Sequence, residues 1–80
     1  MPSKQELERM HPTELAAFCQ RVADNPAAYL AEASEEASKL KLEWDNLQSQ
    51  PNPNYAVQRK IEQQKDHLRA RMIEFLTGTL

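Results

Sequence analysis

The sequence predicts an all-α protein: an antiparallel, coiled-coil-like helical hairpin with a shorter N-terminal helix packed on it, a three-helix bundle in one domain of residues 1–80. Three observations carry this. The alphabet is helix-forming, dominated by Ala, Leu, Glu, Gln, Lys and Arg, with a single Gly. Pro12, Pro26, Pro51 and Pro53 stand between apolar stripes, where a residue without an N–H does least harm. Within the two longest stretches the apolar residues recur at helical spacing, and β-branched residues are too few to alternate as strands.

The first segment, 4–10, opens on Ser3 followed by Glu6, the spacing of a capping box. Leu7 and Met10 are its only apolar residues, so the short helix needs something to pack on. His11-Pro12 interrupts it, because a residue before Pro is pushed out of helical angles. Pro12 then starts a second helix, 12–24, whose Leu15, Phe18, Cys19 and Val22 form one stripe.

Asn25 as cap and Pro26 in the first turn predict a third helix over 26–49. Its apolar positions, Leu30, Ala33, Ala37, Leu40, Trp44 and Leu47, are spaced 3-4-3-4-3, a heptad seam. Such a seam is most often ordinary core. Ala27, Ala28, Tyr29 and Ala31 widen the apolar face at its start, where the preceding helix is expected to dock. Pro51-Asn52-Pro53 forbids a continuous helix, and Asn52 and Pro53 begin the last one, 53–77. Its stripe is Val57, Ile61, Leu68, Met72 and Phe75, with Gln64 in the remaining heptad slot. Gly78 is read as its C-terminal stop.

A short connection sets an expected register. Leu30 faces Met72, Leu40 faces Ile61, Trp44 faces Val57 or Gln58, and Leu47 faces Tyr55. The same register brings Glu36 near Lys65 and Glu43 near Arg59 or Lys60. Agreement between apolar and charged rows is what a foldable sequence shows.

Charge divides along the chain. Residues 1–50 carry five Lys or Arg against nine Asp or Glu, and residues 51–80 carry five against three. Two complementary packed helices explain this most simply. One cysteine cannot form an internal disulfide and fits a reducing compartment, so the chain reads as cytoplasmic. No apolar run approaches the ~20 residues that span a bilayer.

Little catalytic chemistry is legible. Cys19 sits on an apolar stripe and reads as a buried, inert thiol; His11 and His67 are distant in sequence, and no ligand spacing for a metal appears. The residues 62–67, Glu-Gln-Gln-Lys-Asp-His, lack the Glu-x-x-His spacing of bundle metal sites. With one Gly there is no phosphate cradle. The sequence therefore points away from an enzyme, with no metal or cofactor assigned.

It points instead to a protein–protein interaction protein, an adaptor, inhibitor or chaperone whose partner is another protein. A homodimer is the default form. A first helix half as long as the hairpin leaves the end near the turn uncovered, and its candidate interface is Leu40, Trp44, Leu47, Tyr55 and Ile61. The alternative is a nucleic-acid- or nucleotide-binding regulator using Arg59, Lys60, Lys65, Arg69 and Arg71. Those cations spread around the helix axis with Glu62 and Asp66 among them, which favours intramolecular pairing.

Overall fold

The computed structural model describes residues 3–51 and 53–79. They form four helices, α1 (Lys4–Arg9), α2 (Pro12–Ala23), α3 (Ala31–Ser49) and α4 (Tyr55–Thr79), with no strand among the described residues. No helix of these residues is long and apolar enough to cross a membrane.

The N-terminal helices begin where their caps place them. The Ser3 hydroxyl accepts the Glu6 N–H at 3.3 Å. His11 is extended, and its Nδ1 accepts the Thr13 N–H at 3.1 Å, so Pro12 is the first residue of α2. Both α1 and α2 reach the core. Leu7 of α1 is buried with Leu15, Ala16, Cys19 and Val22 of α2, which makes a bundle of four packed helices rather than three.

The start of α3 differs from the expected one. Asn25-Pro26 does not cap a helix; the Ala28 N–H donates to the Asn25 carbonyl at 3.1 Å, closing a turn. Asn and Pro suit a turn as well as a helix start. Tyr29 then packs against the core while Ala27 and Ala28 stay exposed, and Leu30 is extended as the N-cap of α3. Leu30 is 78% exposed and so does not face Met72. The rest of the seam is buried as spaced: Ala37, Leu40 and Trp44 fully, Ala33 and Leu47 in part.

α2 lies antiparallel on α3. At one end His11 and Pro12 share a shallow pocket with Trp44 and Gln48. At the other the Ser34 hydroxyl donates to the Val22 carbonyl at 3.4 Å. Twelve residues of α2 span about 18 Å, enough to cover the eleven residues from Ser34 to Trp44 at about 1.5 Å each.

α4 returns along α3, but in a shifted register. Glu43 pairs with Arg71 rather than Arg59 or Lys60, Glu36 lies 3.9 Å from Arg71 rather than near Lys65, and Lys65 sits 5.6 Å over the Trp44 ring. These partners lie six to twelve residues further along α4 than expected, roughly two to three turns. Ile61 is buried yet stands apart from the cluster containing Leu40. The cause is the turn. Gln50 is extended, and α4 begins at Tyr55, where Asn54 Oδ1 accepts the Val57 N–H at 3.0 Å. Asn52, read as the cap, lies outside the described residues. The first turns of α4 thus run past the end of α3. At the other end Gly78 does not stop the helix, which continues to Thr79 with no positive φ.

The shift moves the apolar weight of the core toward Leu68, Met72, Ile73 and Leu76 of α4. Each fully buried Leu or Met contributes about 1.5–3 kcal/mol, against ~0–1 kcal/mol for an exposed ion pair. Matching the seam of α3 to this richer stretch outweighs any rearranged charge pair. α1 rests on α4, where the Arg69 guanidinium donates to the Glu8 carbonyl. The molecule measures 43 × 24 × 15 Å. α2 packs on both α3 and α4, and α1 packs on α4.

Candidate functional site

The face of α3 and α4 turned away from α1 and α2 opens into a cleft of about 560 Å³. α3 contributes Glu43, Asn46 and Leu47, and α4 contributes Lys60, Gln63, Gln64, His67, Leu68 and Arg71. Helical spacing explains the set. On α4, Lys60, Gln64, His67 and Arg71 recur at i, i+4, i+7 and i+11, one stripe beside the apolar one. Leu47 and Leu68 form the floor, since Leu68 is buried and Leu47 is part-buried against the core. Amides supply the walls.

Charge in the cleft is partly spent internally. Arg71 Nη1 donates to Glu43 Oε2 at 2.7 Å, closing one end. Lys60 and His67 are exposed at the rim. An apolar floor with amide walls and a cationic rim accepts apolar side chains and hydrogen-bonds the backbone or carboxylates around them.

The interface residues selected from the sequence separate. Leu40, Trp44 and Ile61 are 1%, 5% and 7% exposed within the single chain. The strip around Leu40 and Trp44 expected to be bare is covered, because the start of α2 reaches Trp44. Leu47 lies on the cleft floor, and Tyr55 is 72% exposed on the first turn of α4. The five cations also divide. Arg71 pairs with Glu43 and Glu36, Arg69 holds Glu8, Lys65 covers Trp44, and Arg59 and Lys60 point to solvent.

Of the reactive side chains, Cys19 is fully buried, and burial, with a smaller effect from the Glu36 charge, pushes its thiol up to about 12. His11 and His67 stand in different pockets. No group of three His, Cys, Asp or Glu converges on a metal position among the described residues.

Asn46, Gln63 and His67 were not legible as site residues, because the expected register put this part of α4 beside another stretch of α3. The signal available was Gln64: a polar residue in a heptad slot marks where the seam opens to solvent. Comparison with protein-family models, with curated proteins and with solved structures finds no match for the chain.

Proposed function

We propose that the chain is a non-catalytic protein-binding protein, of adaptor, inhibitor or chaperone type, which presents the open face of an antiparallel α3–α4 hairpin to another polypeptide. The supporting observation is the cleft itself, an apolar floor of Leu47 and Leu68 on which, among the described residues, no other helix lies. Clefts of this kind take the apolar anchors of a partner, with polar rim groups fixing its orientation. Val57, half-buried and one turn before Lys60 on α4, extends the same surface. The lone cysteine, kept as a thiol, fits work in the cytoplasm.

Leu47→Glu and Gln64→Arg place charge in the cleft, the first at a part-buried position and the second at an exposed one. In affinity capture from the native host, wild type retains a discrete polypeptide that both variants release. A retained set unchanged by both substitutions, with helicity intact, removes the cleft from function.

A further inference from the structure

We infer that the cleft receives an acidic amphipathic helix of a different protein, with its apolar stripe on Leu47 and Leu68 and its carboxylates along the edge that meets Lys60. This rests on the protein-binding reading above and names the chemistry of the partner.

Length and backbone chemistry argue for a helix. The α4 wall of the cleft runs twelve residues, from Lys60 to Arg71, about 18 Å or a little over three helical turns. A strand laid there would set its backbone N–H and C=O groups over Leu47 and Leu68, and the described residues contain no sheet edge to pair them. A helix satisfies its own backbone and brings only side chains to the groove between α3 and α4.

Charge argues for acid on that helix. Glu43 is the one carboxylate among the lining residues, and Arg71 already holds it at 2.7 Å. Lys60 is exposed at the rim, and no ion pair among the described residues holds it. Asn46, Gln63, Gln64 and His67 add side-chain N–H donors to the same walls. Glu62 and Asp66, the nearby acids of α4, line the pocket of His11 and Trp44 instead. A basic partner would meet like charge at Lys60 and Arg71, whereas carboxylates there gain charge-assisted hydrogen bonds.

The chain itself supplies no such helix among its described residues. The apolar stripes of α1, α2, α3 and α4 are committed to its own core. Residues 51–61, at the exposed start of α4, hold Arg59 and Lys60 and no acid, so a second copy would bring cations to a cationic rim.

The probe is a fluorescein-labelled peptide of two heptads, held helical by a lactam bridge on its outer face, with Leu at a and d and Glu at e and g. A twin carries Lys in place of Glu. Fluorescence anisotropy against the full chain reads both at low salt, where charge acts most strongly. The Glu peptide is expected to bind at least about tenfold more tightly than its twin. Lys60→Glu weakens it about fivefold, and Leu47→Glu at least about tenfold, as loss of the apolar floor requires. Lys4→Glu, the same change of charge on exposed α1, leaves binding within about twofold. Circular dichroism checks that each variant keeps its helicity.

Equal or tighter binding of the Lys peptide overturns the inference, as does binding of the Glu peptide that Lys60→Glu and Leu47→Glu leave unchanged. A dimer in light scattering that Leu47→Glu dissociates fills the cleft with a second copy and overturns it as well. If neither peptide binds at about 500 µM chain while Leu47→Glu still releases a captured host polypeptide, the acidic helix is wrong and the protein-binding reading stands. If neither binds and capture is unaffected, both fall.

Discussion

Cys19 shows how position silences a reactive side chain. The thiolate is the nucleophile, and desolvation disfavours it. With no exposed surface and the Glu36 charge adding in the same sense, the thiol is raised from 9.0 to about 12. The sign of the linkage follows. Between those two values the unfolded chain loses its thiol proton while the folded chain keeps it, so the folded state binds more protons and stability falls as pH rises. Urea titrations of wild type and Cys19→Ala across pH 8–11 should show the steeper decline in wild type; parallel curves would mean the native thiol titrates as in water. This burial was legible from the stripe Leu15, Phe18, Cys19 and Val22. The burial of Trp44 was legible only as membership of a seam. Whether a seam residue faces a partner or the chain's own core depends on where α2 begins, and His11 and Pro12 beside Trp44 decide it.

At the scale of the helix, caps were easier to read than starts that compete with turns. Ser3 and Pro12 fixed α1 and α2, because each offers its segment one good geometry. Asn25-Pro26 offers two, and the packing of Tyr29 against the core selects the turn, a preference that no local pattern reveals. The consequence is a weak start for α3. Leu30 is its N-cap, in extended geometry, with no side-chain hydrogen bond and 78% exposure. A hydroxyl there can accept one of the unpaired N–H groups of the first turn at little loss of apolar burial. Leu30→Ser should therefore stabilise the protein by about 0.5–1 kcal/mol, read by urea midpoint at constant slope. A loss of stability would show that Leu30 contributes packing that its exposure denies. Gly78 teaches the same lesson in reverse: a residue that permits a stop does not impose one, and α4 runs through it.

At the scale of the molecule, the apolar period identified an all-helical chain with four helical segments, but it could not set how α4 slides against α3. A heptad seam matches itself again after every two turns, and the turn at 50–54 determines which match is used. Here the match places Leu68 through Leu76 of α4 in the core and leaves the first turn, with Tyr55 exposed, beyond α3. Local stability follows burial, since amides open most readily where few apolar contacts hold the helix. Native-state hydrogen exchange should therefore divide α4. The amides of residues 58–62 should exchange at least about tenfold faster than those of residues 68–76, which share the core with α1, α2 and α3. Residues 37–47 of α3 should exchange as slowly as the protected half of α4, because Ala37, Leu40 and Trp44 belong to the same cluster. Uniform protection along α4 would mean that its N-terminal turns are held within one chain. The first turns would then be a supported part of the bundle, as firmly packed as the stretch from Leu68 to Leu76.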